Sequence, residues 1–344
     1  MADTKSGAAA GPCAVYISGN IGDSVLHMGL VRALSEHLGR PLILLNPLPP
    51  ALNRLFETQP WIERVLSIGE IERDSDHGRR RREMTELLRS LQLDTLFFFN
   101  FKTYAAIAAR LAGVPRRVGF VRRHQFHNAL LFSHHVMVQK RGTPHPDTHT
   151  WLPRLLARHG YPAEAIYPSL LPNEEAAARA ALLAQHHPHL VGLGLNASAA
   201  IRRYPGAQYA EVIRLLLQHD PRYSFVLFGV DDVADIAADI RQRLGDSARL
   251  LDITTIKPDL PLSFALVARC EGFISNDSAG LHLAVAHRIA TVGLFGASPP
   301  MHYAPWLRPL QATGPGGMAG IEPQTIVQTL LAEMARLEAP PATE

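Results

Sequence analysis

Short apolar runs alternate with longer segments of helical periodicity along almost the whole chain. The runs are rich in β-branched and aromatic residues, as in AVYIS at 14–18 and TLFFF at 95–99. Between them, apolar residues recur every three to four positions, most clearly over 24–38, which is typical of a helix with one buried face. The runs are unbroken, as in a parallel sheet covered on both faces. The predicted strands are 14–18, 41–46, 65–68, 95–99, 117–120, 190–195, 225–228, 250–252, 272–274 and 291–295.

An irregular stretch interrupts this alternation near the middle of the chain. Residues 161–172 contain three prolines and no periodic pattern, which favours a linker. The chain has 344 residues, more than one hydrophobic core usually holds. We therefore predict two α/β domains, residues 1–165 and 166–344, whose strands point their carboxyl ends at a shared ligand-binding cleft. Helices are predicted at 24–38, 52–57, 80–91, 103–111, 151–159, 173–184, 205–218, 233–244, 262–269, after 278, and at 323–337, the last a candidate for packing back toward the first domain.

Charge and composition narrow the function classes. The net charge of +3 is small for 344 residues, so the chain gives no reason to expect a nucleic-acid partner. The arginines are clustered, with four in a row at 79–82. Such a run is either a solvated face or a surface for an acidic partner, such as a phosphorylated or carboxylated glycolipid.

The cysteines and the N-terminal residues indicate in which cellular compartment the protein is expected. Cys13 and Cys270 lie far apart beside apolar runs, where small core residues are expected rather than a disulfide. The first ten residues lack the basic and apolar regions of a signal peptide, and no window resembles a membrane span. We therefore expect a cytoplasmic protein, with membrane contact only of the peripheral kind.

Polar helix-capping residues directly follow the apolar run at 272–274. Ser275, Asn276, Asp277 and Ser278 come first, and an apolar helical run begins at once. The pattern predicts a strand, a tight turn and a helix N-terminus whose free N–H groups face outward. Such an end binds anions, above all phosphate. An ordinary capped turn between a strand and a helix explains the same residues.

Three further loops follow predicted strands. Arg202 and Arg203 lie in one, and Asp232 lies in another. Cations beside a free helix N-terminus suit a diphosphate, whereas a carboxylate suits the hydroxyl groups of a ribose or another sugar. In the first half, the loop GNIGD places Asp23 at the start of a helix.

Four segments together resemble glycosyltransferase family 9, the lipopolysaccharide heptosyltransferases, over about residues 14–337. The most specific is NDSAGLHLA at 276–284, with LFG at 294–296, which is similar to the family signature Asn-Asp-[Ser/Thr]-Gly-Pro-x-His-Leu-Ala. Ala279 and Gly280 depart from that signature, and Arg202 stands where lysine is common. The other segments are IGD at 21–23 with VRAL at 31–34, LAGVPRRVGF at 111–120, and NAS at 196–198 with RRYP at 202–205.

The resemblance implies a GT-B fold of two Rossmann-like domains, the first binding the acceptor and the second a nucleotide-sugar donor. It also implies inverting transfer of a heptose, or a related sugar, from ADP-heptose or a similar donor to a lipopolysaccharide core or another glycan. Asp23 would be the general base that takes the proton of the attacking hydroxyl, because an alcohol is a poor nucleophile at neutral pH. A helix-capping role is the alternative for Asp23.

The resemblance also assigns donor-binding roles. Arg202, and more weakly Arg203, would neutralise the departing diphosphate; solvated surface arginines are the alternative. Asp232 would bind a sugar or ribose hydroxyl, or cap a helix. His282 would bind a phosphate or sugar, or be a satisfied core histidine. Backbone N–H groups would come from Asp277, Ser278, Ala279 and Gly280, with the Asp277 carboxylate holding the turn or a sugar hydroxyl.

Asn100, Lys102, Arg122 and Arg123 follow strands of the first half and are candidates for binding an acidic acceptor, or for facing solvent. No histidine spacing indicates a metal site, and we expect neither a metal nor a cofactor. Two other functions stay open. A nucleotide-sugar epimerase or hydrolase of the same fold would need further acid–base residues, and a catalytically silent nucleotide-sugar-binding protein would need no base at all.

Overall fold

The computed structural model describes residues 11–100, 102–138, 157–158, 160–161, 167–245, 249–257, 259–296, 298–314 and 316–339. The chain divides into two compact units, Met1–Ile166 and Tyr167–Glu344. Most of the helix predicted at 151–159, and residues 162–166 of the predicted linker, lie outside the described residues. Among the described helices, none has the length and apolar character needed to cross a membrane.

The first unit contains a six-stranded parallel sheet in the order β3-β2-β1-β4-β5-β6. Its central strands are fully buried, which explains their unbroken apolar sequence. The strands are β1 (Cys13–Tyr16), β2 (Leu42–Asn46), β3 (Ile62–Ser67), β4 (Thr95–Phe98), β5 (Arg116–Arg122) and β6 (His134–Val138). The helices are α1 (Ile21–Leu38), α2 (Pro50–Glu57), α3 (Gly69–Arg73), α4 (His77–Ser90) and α5 (Thr103–Leu111), with a 3₁₀ segment at Arg123–Leu131.

The second unit repeats this plan, with a parallel sheet in the order β12-β11-β10-β7-β8-β9. The strands are β7 (Leu190–Gly194), β8 (Ser224–Phe228), β9 (Leu250–Asp252), β10 (Cys270–Asn276), β11 (Ala290–Phe295) and β12 (Leu307–Gln311). The helices are α6 (Glu174–Ala184), α7 (Gly206–His219), α8 (Ala234–Leu244), α9 (Leu260–Val267), α10 (Ala279–Ala286) and α11 (Pro323–Glu338). Short 3₁₀ turns lie at Ala200–Arg202, Asp231–Val233 and Gly317–Gly320.

Strand order reverses at one place in each sheet, between β1 and β4 and between β7 and β10. In open parallel sheets, ligands bind beyond the carboxyl ends of the strands at such a switch point. The loops that follow β1, β4, β7 and β10 are therefore where each unit is expected to carry its functional groups.

Each unit has its own hydrophobic core. Tyr16 and Phe98 lie in the first core, and Tyr204, Tyr209 and Phe225 lie in the second. The C-terminal helix α11 belongs to the second core, where its buried residues Ile326, Val327, Leu330 and Met334 pack beside β10 and β11.

Two strands of the structure are absent from the sequence-based prediction, β6 and β12. Both are edge strands, and their residues are mostly half-buried rather than buried. An edge strand has one neighbour and less cover, so it lacks the unbroken apolar run by which the central strands were identified.

Candidate functional site

In the first unit, Asp23 lies in the first turn of α1, three residues after the N-cap residue Asn20. Its Oδ2 accepts a hydrogen bond from the backbone N–H of Asn20 at 2.9 Å. Gly19 has φ +135° and a Cβ added there would collide with the Asp23 carboxylate, so only glycine fits the turn. The capping role is therefore present. It uses one of the several acceptor positions of a carboxylate and leaves the others for a substrate hydroxyl.

His27 lies one helical turn after Asp23 and is 2% exposed. Its Nδ1 is 2.6 Å from the backbone oxygen of Asp23, and its ring packs against Phe99 at 5.4 Å between centroids. Burial lowers the pKa of His27, so the ring is neutral near pH 7. Its Nε2 has no hydrogen-bond partner among the described residues. Sequence reasoning missed His27, because a histidine within an apolar helix has no distinctive pattern.

The four residues predicted to bind an acceptor follow the neighbouring strands β4 and β5. Asn100 is half-buried, and its Oδ1 accepts from the backbone N–H of Ser18 at 3.0 Å. Lys102 is exposed at the N-cap of α5. Arg122 ends β5 half-buried, and Arg123 is exposed at the start of the 3₁₀ segment. Asn100 thus contacts the loop that leads into the helix of Asp23. The three cations lie at the carboxyl ends of the neighbouring strands, and no ion pair is found for them among the described residues.

In the second unit, Asn276 holds the predicted phosphate loops together. It ends β10 and is fully buried. Its Nδ2 donates to the backbone oxygen of Leu195 at 2.8 Å, and its Oδ1 accepts from the backbone N–H of Tyr204 at 3.0 Å. One amide therefore joins both ends of the loop between β7 and α7 to the turn before α10. The sequence marked Asn276 as a capping residue, but its partners lie 72 and 81 residues away.

Asp277 and Arg202 lie together at the N-terminus of α10. The Asp277 Oδ2 is 3.6 Å from Arg202 Nη1 and accepts a hydrogen bond from Ser298 Oγ at 2.6 Å. The same Arg202 nitrogen is 3.4 Å from Ser198 Oγ. The Asp277 side chain therefore links the turn to the loops of Arg202 and Ser298 and lies beside the Arg202 guanidinium, while the two roles predicted for it stay predictions.

The backbone of this turn corrects one expectation. The N–H of Asp277 donates to the backbone oxygen of Leu294 at 3.1 Å, so it is not offered to a phosphate. Ser278 is the N-cap of α10, and Ala279 and Gly280 form its first turn. Their N–H groups belong to the set that has no partner within a helix. They therefore remain the candidate groups for binding an anion at this turn.

Arg203 is committed to a different partner. It forms an ion pair with the Asp232 carboxylate, and its Nη1 donates to the backbone oxygen of Asp232 at 2.7 Å. Asn196 Nδ2 donates to the Asp232 Oδ1 at 2.7 Å. The pair links the loop after β7 to the 3₁₀ turn after β8, so Arg203 is less available to a phosphate than Arg202. Asp232 keeps half of its side chain exposed, which suits contact with a sugar hydroxyl.

His282 has a protein partner. It is 6% exposed, and its Nδ1 is 2.6 Å from the hydroxyl of Tyr303. Burial raises the pKa of Tyr303 well above its usual value, so the phenol stays protonated. This geometry matches the core-histidine alternative, while the sugar- or phosphate-binding role stays a prediction.

No group of three or more metal-ligating side chains was found among the residues that the structure describes. The groups that the structure does assemble are Arg202 with Asp277, and Arg203 with Asp232. Both lie at the carboxyl ends of β7, β8 and β10, where cations and free helix N–H groups favour a phosphorylated ligand.

Sequence comparison matches the model of glycosyltransferase family 9 (heptosyltransferase) over residues 81–315, more than half of the chain. Asp23 precedes the matched region, whereas the loops of Arg202, Asp232 and Asp277 lie within it. The chain is 23% identical to lipopolysaccharide heptosyltransferase 2 of Escherichia coli K12 over 304 residues, 81% of each protein. It is 28% identical to lipooligosaccharide heptosyltransferase 2 of Haemophilus influenzae over 105 residues, only 30% of each protein.

Solved structures share the fold. A family 9 glycosyltransferase from Veillonella parvula superposes with a TM-score of 0.77 at 15% identity, covering 95% of this chain and 98% of that one. The E. coli ADP-heptose lipopolysaccharide heptosyltransferase II superposes with a TM-score of 0.71 at 20% identity, covering 95% and 100%. At these identities the likeness establishes the architecture, an α/β fold of the GT-B heptosyltransferase kind with two six-stranded parallel sheets.

Proposed function

The chain belongs to glycosyltransferase family 9 (heptosyltransferase), and from this premise we propose that it is an inverting glycosyltransferase. Its donor is ADP-heptose or a similar nucleotide sugar, and its acceptor is a lipopolysaccharide core sugar or another glycan. The described E. coli relatives, one named a lipopolysaccharide heptosyltransferase and one an ADP-heptose enzyme, support this choice of substrates.

The observation that carries the proposal is the Arg202–Asp277 pair at the start of α10. Asp277 orients the guanidinium, while the N–H groups of Ser278, Ala279 and Gly280 complete an electropositive end. A nucleoside diphosphate leaving group gains negative charge as the glycosidic bond breaks. Groups fixed in advance where that charge develops stabilise the transition state by a few kcal/mol. In this proposal they take the place of a metal ion.

Asp23 supplies the second half of the reaction. The acceptor hydroxyl oxygen attacks the anomeric carbon, and its proton passes to the Asp23 carboxylate. The bond from the anomeric carbon to the diphosphate oxygen breaks, and its electron pair leaves with the nucleoside diphosphate. Attack opposite the leaving group inverts the anomeric configuration. Lys102, Arg122 and Arg123 favour an acceptor that bears phosphate or carboxylate groups, and a glycolipid acceptor would bring the protein to a membrane surface.

The nucleotide preference is the first test. We would measure the melting temperature of the protein with ADP, UDP and GDP, and with the corresponding nucleotide sugars. A ligand at a hundredfold excess over its Kd stabilises the folded state by about 2.7 kcal/mol. We expect a shift with ADP compounds only; a shift with UDP compounds alone would overturn the proposed donor.

Product analysis separates the three candidate functions. With ADP-heptose and a core-glycan acceptor, a transferase releases ADP only when the acceptor is present. A hydrolase releases ADP without the acceptor, an epimerase alters the sugar without net release, and a silent binding protein shows the thermal shift but no turnover. Any of the last three patterns would contradict transfer.

A further inference from the structure

Three hydroxyl groups of the first unit converge on one carboxylate, Glu72 in the short helix α3. Tyr16, at the end of β1, and Tyr104, in α5, both donate to Glu72 Oε1, the latter at 3.2 Å. Ser18, in the loop after β1, donates to Glu72 Oε2 at 3.0 Å. The donors come from the end of β1, from the loop after β1 and from the first turn of α5. Nothing in the sequence pattern singles out Glu72, since it lies 54 to 56 residues from its β1 partners.

Glu72 is a hydroxyl-binding carboxylate rather than half of an ion pair. No salt bridge to its side chain is found among the described residues. The nearby Arg80 reaches only its backbone oxygen, at 3.5 Å, and stacks its guanidinium over the Tyr104 ring at 4.4 Å. Hydrogen bonds to an ionised acceptor are roughly twice as strong as neutral ones. The Glu72 carboxylate therefore fixes the positions of the three hydroxyl groups that donate to it. It does not hold α3 in place through an ion pair among the described residues.

Ser18 connects this cluster to Asp23. Its hydroxyl is held by Glu72 at 3.0 Å, and its backbone N–H is held by Asn100 Oδ1 at 3.0 Å. The next residue, Gly19, has φ +135°, and the N–H of Asn20 then binds the Asp23 carboxylate. Ser18 is thus fixed from two sides immediately before the turn whose shape sets the position of Asp23.

We infer that Glu72 is a positioning residue, which acts through Ser18 to hold the turn at Gly19 and Asn20 and so to aim the Asp23 carboxylate. The inference rests on the proposed function, in which Asp23 is the base. The described partners of the Glu72 side chain are the hydroxyl groups of Tyr16, Ser18 and Tyr104. Its two oxygens already accept hydrogen bonds from three hydroxyl groups, which suits a residue that orients other groups.

Glu72→Gln tests the inference, because the amide keeps the size and one acceptor oxygen but cannot accept from both sides. Glu70→Gln is the matched control, since Glu70 is an exposed carboxylate of the same helix. A misplacement of about 1 Å in a catalytic group can cost about a hundredfold in rate. We expect kcat to fall by roughly that factor in Glu72→Gln, with the KM of the donor unchanged and with wild-type kinetics in Glu70→Gln.

Ser18→Ala removes a single hydroxyl from the same connection. We expect it to lower kcat in the same direction, and the double variant Ser18→Ala with Glu72→Gln to lose less than the product of the single losses. A kcat within twofold of wild type in Glu72→Gln, or an equal loss in Glu70→Gln, would overturn the inference. So would independent, multiplicative losses in the double variant.

Hydrogen exchange tests the positioning without any substrate. Amides of the segment 17–23 should exchange faster in Glu72→Gln than in Glu70→Gln, while amides of α11 in the second unit should exchange alike. Unchanged exchange in 17–23 would contradict the inference even if transfer is observed. If the wild-type protein transfers no sugar, the proposed function fails, and the exchange result still decides whether Glu72 orders the turn.

Discussion

The two units present their acidic groups at similar places, in a turn between a parallel strand and a helix, but the turns are built differently. In the first unit, Asp23 lies inside helix α1 and its described partner is the backbone N–H of Asn20. In the second unit, Asp277 precedes helix α10 and is bound by Arg202 and Ser298. Asp23 has no cation partner among the described residues, whereas Asp277 is paired with an arginine.

In the proposed function, the carboxylates of the two units have different tasks. A general base has to accept a proton, and the Asp23 carboxylate has acceptor positions that its bond to the Asn20 N–H does not use. A carboxylate paired with arginine is occupied, and its use is to orient that cation and leave the helix N–H groups open to an anion. In the proposed function, the same local motif would serve proton transfer in one unit and phosphate binding in the other.

Asp23→Asn should have the largest effect. The amide oxygen still accepts from the Asn20 N–H, so the cap and the fold are retained, while the base is lost. We expect kcat for transfer to fall by about 10²–10⁴-fold, with donor binding by thermal shift unchanged. Retained turnover would refute the base assignment and remove the contrast between the two turns.

Arg202→Ala should come next. It removes the cation beside α10 and leaves Asp277 without its ion pair, so we expect kcat to fall by about 10²–10³-fold and the thermal shift with ADP to shrink. Arg202→Lys should recover part of the loss, because it keeps the charge but not the planar fork. Arg214→Ala is the control, since this exposed arginine forms an ion pair with Glu211 and donates to the backbone oxygen of Arg243; an equal loss there would contradict the role of Arg202.

Gly19→Ala should disturb the first turn alone. Its new Cβ collides with the Asp23 carboxylate at a positive φ, which costs on the order of 1–3 kcal/mol in strain and moves the base. Gly39→Ala, at the other end of α1, also has positive φ but nothing within 4 Å. We expect both variants to lose stability in chemical denaturation and only Gly19→Ala to lose transfer. Loss of transfer in both would show that helix stability, rather than the position of Asp23, limits activity.

The last prediction concerns the acid stability around helix α10 rather than catalysis. Burial lowers the pKa of His287, at the C-cap of α10, from 6.5 to about 4. The unfolded chain therefore binds a proton more readily than the folded one between pH 6.5 and pH 4, so stability is present above pH 6.5 and is lost as the pH falls through that window. We expect a loss on the order of 2–3 kcal/mol.

His287→Gln isolates this contribution. The variant removes the titrating ring, so its free energy of unfolding should vary less between pH 6.5 and pH 4 than that of the wild-type protein. Denaturant titrations at several pH values would measure the difference. Parallel pH dependence in the two proteins would show that other groups account for the acid sensitivity.

Central strands were the most predictable elements. Thr95–Phe98 and Leu190–Gly194 are buried on both faces, so their composition alone identified them. The edge strand Leu307–Gln311 contains Pro309, which is tolerated at a sheet edge but reads as a turn signal in sequence. The helix Gly69–Arg73 has five residues, too few to show a periodic pattern.

Local chemistry by itself was enough to predict which loops are candidates for function, because capping residues, glycines and clustered charges mark turns between strands and helices wherever they occur. The loops of Asp23, Arg202, Asp232 and Asp277 were identified in this way. Only the tertiary structure decided what each charge faces, because Asn276 and Glu72 bind partners from 32 to 81 residues away. Such contacts depend on strand order, which brings distant loops together at the carboxyl ends of the strands. Strand order cannot be read from the local sequence pattern.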